Sequence, residues 1–221
     1  MSDQFLILGH RGSPTRFREN TIESFEEALR AGADGFETDL RLLTDGVAVL
    51  YHDDEIDELD CESYTFNQFA EHKVVVNQLR ELASFAGRAK MCLEVKRSKW
   101  AEVLIEHVSK WPDIVVASFD HSLIADLHER KAAFALGITV FGYVVDLADY
   151  AVRLGATWVY PQYRYVDAEM VESLHARGIR VVPWTANRDR DWARLRDVGC
   201  DGVITDFAAE AVAWLRKSAQ P

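Results

Sequence analysis

The stretch from Asp167 to Thr205 reads DAEMVESLHARGIRVVPWTANRDRDWARLRDVGCDGVIT and contains the same unit twice. Each unit is an amphipathic run, then a glycine, then a short apolar run. An amphipathic run that a glycine ends predicts a helix, and the apolar run after it predicts a strand. Strands joined by helices indicate a parallel sheet, because the helix carries the chain back to the edge where the previous strand began. The predicted elements are helices at Asp167–Ala176 and Arg190–Val198, with strands at Arg180–Trp184 and Gly202–Thr205.

The same alternation extends over the rest of the 221 residues. The first predicted helix begins near Asn20, which has capping-box spacing to Glu23. This helix is predicted at Thr21–Ala31, and the others at Asn77–Ala86, Trp100–Lys110, Ser122–Lys131, Asp146–Leu154 and about Phe207–Lys217. The other predicted strands are Phe5–Leu8, Gly35–Leu40, Lys90–Val95, Ile114–Ser118, one within Ala133–Val145, and Trp158–Tyr160, with a short extended segment at Val47–Tyr51.

Eight strand–helix units in a chain of this length predict a compact (β/α)8 TIM barrel. We expect one domain over residues 1–221, with a short acidic insertion at about 53–75 after the second strand. An open doubly wound parallel sheet is the alternative. It is disfavoured because no glycine-rich dinucleotide motif follows the first strand.

The composition limits the partners that this chain is expected to bind. The net charge of −11 argues against nucleic acid and against simple adsorption to anionic membranes. No apolar run approaches the ~20 residues of a membrane span, and the start MSDQFLIL does not resemble a signal peptide. The scattered residues Cys61, Cys92 and Cys200 indicate reduced thiols. We therefore expect a cytoplasmic protein with a small-molecule partner and no stable membrane association, in an oligomeric state that stays open.

Polar side chains collect where the predicted strands end, at the rim where TIM barrels place their active sites. Any one of them has an ordinary explanation, such as a surface histidine, a helix cap or a rim ion pair. Together they indicate a site, because all of them fall at the same end of different strands. These residues are His10-Arg11, Glu37, Asp39, His52-Asp53, Glu94, Lys96, Ser118-Phe119, Trp184 and Thr205-Asp206.

The three carboxylates at Glu37, Asp39 and Glu94 predict a metal site. Residues two apart on a strand point to the same face, and three like charges around one axis must shift their pKa values or hold a cation. Oxygen ligands suit Mg²⁺ or Ca²⁺ rather than zinc. Two histidines beside such an ion, with an arginine and a lysine, suit phosphoryl chemistry. One histidine takes the proton of an attacking hydroxyl, and the other protonates the departing alcohol.

Several segments resemble the glycerophosphodiester phosphodiesterase family: GHRG, ENT, GADGFETDLRLLTDGVAVLYHDD, LEVK, ASFD, PWTAN and GCDGVITD. The compound motif His-Arg-Gly, Glu-x-Asp, His-Asp is highly specific. The resemblance implies a metal-dependent barrel that hydrolyses glycerophosphodiesters to sn-glycerol 3-phosphate and an alcohol. By position it implies His10 and His52 as the acid/base pair, Glu37, Asp39 and Glu94 as ligands of one divalent cation, Arg11 and Lys96 as phosphate contacts, and Phe119 and Trp184 on the glycerol side.

The chain departs from the family pattern in two places. Arg18 stands where a proline is usual, and the segment after His52 is short and lacks the usual Leu-x-Arg-Thr-Thr pattern. Instead, seven acids and no base lie between Asp53 and Glu62. This segment is either a solvated loop or a surface that attracts cationic head groups. In the second case, choline and ethanolamine diesters would react faster than glycerol or inositol diesters at low salt.

Two other functions fit the same residues. One is a lysophospholipase D or sphingomyelinase D-like activity on lipids, which needs an apolar or basic landing surface that the sequence does not show clearly. The other is a non-catalytic barrel that only binds phosphorylated ligands. Such a protein would be free to lose a histidine or a metal carboxylate, and this chain has the whole set.

Overall fold

The computed structural model of the chain describes residues 5–72, 75–97 and 100–218. The strands in these residues are β1 (Leu6–Gly9), β2 (Gly35–Leu42), β3 (Ala48–Leu50), β4 (Glu55–Ile56), β5 (Leu59–Asp60), β6 (Lys90–Val95), β7 (Ile114–Ser118), β8 (Ala135–Val140), β9 (Trp158–Pro161), β10 (Arg180–Val181) and β11 (Gly202–Thr205). The α-helices are α1 (Ile22–Ala31), α2 (Phe66–Glu71), α3 (Ala101–Val108), α4 (His121–Glu129), α5 (Leu147–Arg153), α6 (Ala168–His175), α7 (Asp189–Asp197) and α8 (Ala208–Ser218). Short 3-10 helices occupy Cys61–Ser63, Leu79–Phe85 and Tyr163–Tyr165.

Eight parallel strands form a nearly closed barrel in the order β10, β9, β8, β7, β6, β2, β1, β11. The two end strands share no regular ladder, but backbone hydrogen bonds join the segments around them. Ile204 N donates to Pro183 O (2.8 Å), and Asp201 N donates to Val181 O (2.9 Å). The predicted (β/α)8 barrel is therefore confirmed, and the open doubly wound sheet is wrong.

Mostly apolar side chains fill the barrel interior beneath the polar groups of the rim. Along β1 the residues alternate: Leu6 and Leu8 belong to the cluster inside the barrel, whereas Ile7 packs in the layer between strands and helices. Full burial of a side chain of this size contributes roughly 1.5–3 kcal/mol. A filled interior makes the barrel a support for the rim and not a pore.

Two local predictions near the helices are corrected by the structure. Thr21, and not Asn20, caps α1, since its side chain accepts from Ser24 N. The Asn20 side chain instead contacts β2, so a tertiary polar contact takes the predicted cap away. Asp146 precedes α5 as predicted, but it adopts a positive φ of 55° and makes no side-chain cap.

Two further predicted elements differ from the observed ones in type or in length. The segment predicted as a helix at Asn77–Ala86 is a 3-10 helix, and its buried residues Leu79, Leu82 and Phe85 recur every three positions, which is the 3-10 period. The seventh barrel strand stops at Val181, because Pro183 has no N–H to continue the ladder. The strand predicted within Ala133–Val145 is β8.

The acidic insertion after β2 is a small folded unit. It contains the β4–β5 hairpin and α2, and an apolar cluster that includes Ile56, Cys61 and Phe69 lies beneath it. The insertion is predicted to end at about residue 75. Residues 73 and 74, just before that end, lie outside the described part of the chain. None of the helices in the described residues is long and apolar enough to cross a membrane.

Three of the seven acids of the insertion pair with arginines, which corrects the picture of an acidic loop that no base offsets. The buried guanidinium of Arg41 contacts Asp54 (2.6 Å) and Glu62 (3.4 Å), and Arg97 contacts Asp60 (2.7 Å). Both arginines lie outside the stretch that carries the acids. The field that this segment presents to a substrate is therefore weaker than its sequence indicates.

Candidate active site

A tight turn after β1 positions the first two predicted site residues. Arg11 has a φ of 52° and Gly12 a φ of 89°, and Gly12 N donates back to Gly9 O (3.1 Å). A Cβ on Gly12 would lie 2.5 Å from Ser24 Oγ, so only glycine fits there. The same Ser24 hydroxyl donates to Arg11 O (3.0 Å), which ties the turn to α1.

The three predicted metal ligands converge. Glu37 and Asp39 lie two residues apart on β2, and the ladder between β2 and β6 places Asp39 opposite Glu94. One carboxylate oxygen from each residue lies within 4.8 Å of the other two. Glu37 and Asp39 are only 3% and 1% exposed. The barrel therefore gathers three oxygen donors at one point of its rim.

Two cations and one amide hold Asp39 in place. Lys96 Nζ contacts Asp39 Oδ1 (2.6 Å) and also bonds Glu94, and Arg11 Nε lies 3.1 Å from Asp39 Oδ2. Asn20 Nδ2 donates to Asp39 Oδ2 (2.9 Å), and its amide oxygen accepts from the Thr38 hydroxyl (2.8 Å). Arg11 and Lys96 thus join the carboxylate cluster.

The two buried carboxyls of β2 have opposite protonation preferences. Burial, together with the charge of Asp39, raises the pKa of Glu37 to about 8. Burial also acts to raise the pKa of Asp39, but the charges of Lys96 and Arg11 outweigh it and lower this pKa to about 2. Glu37 therefore tends to hold a proton or another cation near neutral pH.

The chemistry of these donors fits a divalent cation. Glu37 Oε1 is buried and has no hydrogen-bond partner within the described residues. Glu37 and Glu94 line a chamber of about 20 Å³ beneath the rim, together with His10 and Trp184. A buried carboxylate oxygen without a donor is costly unless a cation or a proton satisfies it. The cluster is thus a candidate metal centre with oxygen ligands.

His10 is oriented by a carboxylate from the last barrel strand. Its Nδ1–H donates to Asp206 Oδ1 (2.6 Å), which leaves Nε2 toward Glu37 at 3.9 Å. Burial alone would lower the pKa of His10, but the hydrogen bond to Asp206 and the charge of Glu37 raise it above the usual value. Asn187 Nδ2 in turn donates to Asp206 Oδ2 (2.5 Å). The ring is therefore fixed with Nε2 available for proton transfer.

His52 lies farther out on the rim. Its side chain is 39% exposed, and its Nδ1 bonds Asp53 Oδ1 (2.8 Å). Arg41 donates to the His52 backbone oxygen (2.8 Å) and so anchors the segment. In the described part of the chain, no contact joins His52 to His10 or to the carboxylate cluster. The two histidines nevertheless share one arrangement, with an aspartate on Nδ1 and a free Nε2.

The two predicted aromatic site residues contact each other at the opposite side of the rim. The Phe119 and Trp184 rings pack edge to face with centroids 5.4 Å apart. Trp184 Nε1 donates to Tyr160 O (2.9 Å), which fixes the indole above the chamber. Phe119 is 46% exposed, and Phe141, 68% exposed, lies 6.2 Å from Trp184. These rings form an aromatic wall beside the chamber.

Sequence reasoning placed Asp206 at the rim without a specific role, and it placed neither Asn20 nor Asn187 among the site residues. A signal for Asp206 was present in the fold prediction itself. In a closed barrel the last strand pairs with the first, and here Gly9 lies opposite Thr205. The next residue on each strand, His10 and Asp206, must then be neighbours. Asn187 closes the family-like segment PWTAN, but it lies in an irregular segment, so strand pairing does not predict its contact with Asp206.

The sequence model of the glycerophosphoryl diester phosphodiesterase family matches residues 10–60 and 60–210. The chain belongs to this family. Probable glycerophosphodiester phosphodiesterase 1 of Mycobacterium tuberculosis is 41% identical over 260 aligned positions, which cover 95% of this chain and 92% of that protein. A glycerophosphodiester phosphodiesterase of Caldanaerobacter subterraneus is 26% identical and covers 96% and 98%. The membership confirms the predicted class of enzyme, a phosphoric diester hydrolase.

Solved structures with the names of this family share the fold. The glycerophosphodiester phosphodiesterase of Thermotoga maritima superposes with a TM-score of 0.84 at 24% identity, covering 96% of this chain and 99% of that one. A phosphodiesterase of Oleispira antarctica, solved in complex with the product sn-glycerol-3-phosphate, gives a TM-score of 0.83 at 20% identity and covers 96% of each chain. At this identity the likeness establishes the barrel and leaves the chemistry to the residues.

Proposed function

We propose that this protein hydrolyses glycerophosphodiesters to sn-glycerol 3-phosphate and an alcohol, with the help of one divalent cation and two histidines. The observation that carries the proposal is the convergence of Glu37, Asp39 and Glu94 within 4.8 Å, beside His10 Nε2. Membership of the family supports the substrate class. A cytoplasmic location is part of the same proposal.

The three carboxylates would hold Mg²⁺ or Ca²⁺, since both ions prefer oxygen ligands. Once bound, the ion supplies positive charge to the phosphate oxygens that do not bridge to carbon. Arg11 and Lys96 lie against the same carboxylates and add cationic donors at that point. We assign them contacts with the phosphate, which they can reach from their positions beside Asp39.

His10 and His52 divide the proton transfers between them. One Nε2 accepts the proton of the attacking hydroxyl, an O–H of a water molecule, while the new P–O bond forms. As the bond from phosphorus to the alcohol breaks, the other Nε2 donates a proton to the departing oxygen. The net reaction adds one water molecule across the P–O bond. Phe119 and Trp184 form the wall that we assign to the glycerol side.

Chelation is the direct test of the proposal. The protein is incubated with glycerophosphocholine, and the appearance of glycerol 3-phosphate is followed with and without excess EDTA. We expect turnover only without the chelator, and its recovery when Mg²⁺ or Ca²⁺ is added back, because uncompensated carboxylates repel a phosphate. Full turnover by a metal-free preparation in excess EDTA would exclude the metal role.

Replacing Asp206 with asparagine should slow the enzyme by about 10–100-fold in kcat, a typical cost of losing the group that orients a functional histidine. The negative charge of Asp206 helps to raise the pKa of His10. We therefore expect the His10 limb of the kcat–pH profile to move to lower pH in Asp206→Asn. The matched control is Asp197→Asn, an exposed residue at the end of α7. An unshifted profile at wild-type rate would remove Asp206 from the mechanism.

The exposed aromatic wall gives one alternative function a specific basis. Phe141 and Tyr165 extend the wall outward from Trp184, with Phe141 and Tyr165 ring centroids 5.9 Å apart. Such rings could contact the acyl chain of a lysophospholipid, so a lysophospholipase D activity is the second candidate. Parallel assays on soluble glycerophosphocholine and on micellar lysophosphatidylcholine separate the two. Faster turnover of the micellar substrate would favour the lipid function.

A further inference from the structure

The strand β2 carries a buried arginine after its two proposed metal ligands. Glu37, Asp39 and Arg41 follow one another at intervals of two residues, a spacing that directs side chains to the same face of a strand. The Arg41 side chain is only 2% exposed. Because a guanidinium keeps its charge even when buried, it needs acceptors around it. The acceptors of Arg41 come from the segment that follows β3.

One nitrogen of Arg41 joins the backbone of His52 to the acidic insertion. Nη2 donates to His52 O (2.8 Å) and also to Asp54 Oδ1 (2.6 Å). Nη1 donates to Glu62 Oε1 (3.4 Å). Hydrogen bonds from a charged donor are stronger than those between neutral groups. The carbonyl of His52 is therefore fixed by a cation that two acids of the insertion hold in place.

Further contacts fix the backbone on both sides of this histidine. Tyr51 N donates to Asp39 O (3.1 Å), which ties the preceding residue to β2. Cys61 N donates to Asp54 O (2.9 Å), and the Cys61 thiol donates to Asp53 O (3.3 Å). Residues 51–54 form no helix or strand, yet each of them makes a backbone bond to β2 or to the insertion.

The ring of His52 has weaker support than its backbone. The ring is partly exposed, and the carboxylate that it bonds, Asp53, is exposed as well. Exposed ion pairs stabilise a given geometry only slightly, whereas a misplacement of about 1 Å can slow a reaction about 10²-fold. The position of Nε2 therefore depends on the backbone that carries the ring, and Arg41 bonds that backbone directly.

We propose that Arg41 is a positioning residue for His52, and that Asp54 and Glu62 hold Arg41 in this role. The proposal rests on the proposed function, because it concerns how His52 is placed for its proton transfer. It also gives the acidic insertion a role that needs no contact with a substrate. Since β2 carries two of the three proposed metal ligands, one strand then positions both the cation and a catalytic histidine.

The test is a double-mutant cycle between Arg41→Lys and His52→Ala, with glycerophosphocholine as substrate and saturating divalent cation. Lysine keeps the positive charge, but its compact ammonium does not reproduce the fork of the guanidinium. We expect Arg41→Lys to lower kcat by about tenfold, a typical cost of losing an orienting group. In the His52→Ala background the same substitution should change kcat by less than about twofold, because the ring that Arg41 positions is gone.

A second variant covers the case in which Arg41→Lys does not fold. Asp54→Ala removes an exposed side chain, so the barrel should tolerate it, and Arg41 Nη2 loses one of its two acceptors. We expect a loss of about threefold in kcat, the scale of one weakened hydrogen bond, and no loss in the His52→Ala background. If Arg41→Lys is unfolded, the Asp54→Ala cycle decides alone.

Metal binding and a matched control separate positioning from a general disturbance of the rim. The acceptors of Arg41 lie outside the carboxylate cluster, so calorimetric titration of each folded variant should give a Kd for Mg²⁺ or Ca²⁺ within about twofold of wild type. The control is Arg97→Gln, which removes another arginine that bonds the insertion, through Asp60 (2.7 Å) and not through residues 51–54. It should keep the wild-type kcat.

Four results would overturn the proposal. A loss that persists in the His52→Ala background, or a metal Kd that rises together with the loss, shows that Arg41 does not act through His52. Wild-type kcat in the folded variants shows that nothing depends on the clamp. These three results leave the proposed function standing. A near wild-type rate in His52→Ala itself removes His52 from the proposed mechanism, and the role of Arg41 falls with it.

Discussion

Replacing His10 with alanine is expected to lower kcat by roughly 10²–10⁴, the usual contribution of a positioned acid or base. His10 Nε2 lies 3.9 Å from Glu37, and Asp206 fixes the other ring nitrogen. A ring held in this way suits the proton transfer that we propose for it. The measurement is steady-state turnover of glycerophosphocholine with saturating divalent cation, so that a change in metal affinity does not enter the result.

His52→Ala should show a loss of the same order, although its ring is more exposed. If the two histidines serve one reaction, the double variant should lose far less than the product of the two single losses. The control is His107→Ala on α3, whose ring bonds a backbone oxygen of its own helix. A single variant with a near wild-type rate would take that histidine out of the mechanism, and multiplicative losses would make the two independent.

The barrel and the carboxylate cluster were predictable because both follow from short-range periodicity. Alternation of strands and helices is visible in any window of about 30 residues. Two carboxylates at positions i and i+2 of one strand, and a third at the end of the next barrel strand, must meet once the sheet is parallel. The ladder that sets Asp39 opposite Glu94 realises this expectation.

The contacts that complete the cluster depend on long-range geometry. Asn20 looks like a helix cap in the sequence, yet its amide bonds Asp39 on a strand 19 residues away. His10 and Asp206 are separated by 196 residues. Sequence spacing carries no information on such pairs until the closure of the barrel is known. Asparagine is also a common helix cap, so local propensity could not decide between a cap at Asn20 and a contact with Asp39.

Charge was the least predictable property. A count over the sequence places seven acids together after His52, but Arg41 and Arg97 reach back from other segments to pair with three of them. Only the three-dimensional arrangement shows which of these acids have a cationic partner.

Replacing Glu37 with glutamine is expected to reduce turnover by roughly 10³-fold at every pH, because the neutral amide removes the negative charge that the cation needs. The variant also tests the electrostatics of the metal-free protein. In the folded chain Glu37 keeps its proton up to a pKa of about 8, whereas the ordinary value is 4.5. The unfolded chain therefore loses this proton at lower pH than the folded chain does.

The sign of the pH dependence follows from that difference. Stability from a raised pKa is fully present below about pH 4.5 and is lost as the pH rises toward 8, at a rate of at most about 1.4 kcal/mol per pH unit. In EDTA, the melting temperature of the wild type should thus fall between pH 5 and 8 more steeply than that of Glu37→Gln.

A divalent cation should reverse this loss, because it takes the place of the proton on Glu37. We expect the gain in melting temperature from Mg²⁺ or Ca²⁺ to be larger at pH 8 than at pH 5 in the wild type and to be absent in Glu37→Gln. Glu102→Gln, at a highly exposed carboxyl on α3 that pairs with Arg130, should behave as wild type. The contrary result is a melting temperature that falls with pH at the same slope in wild type and Glu37→Gln, and that rises equally in both when metal is added. That result would show that neither the buried proton nor the cation is bound at Glu37.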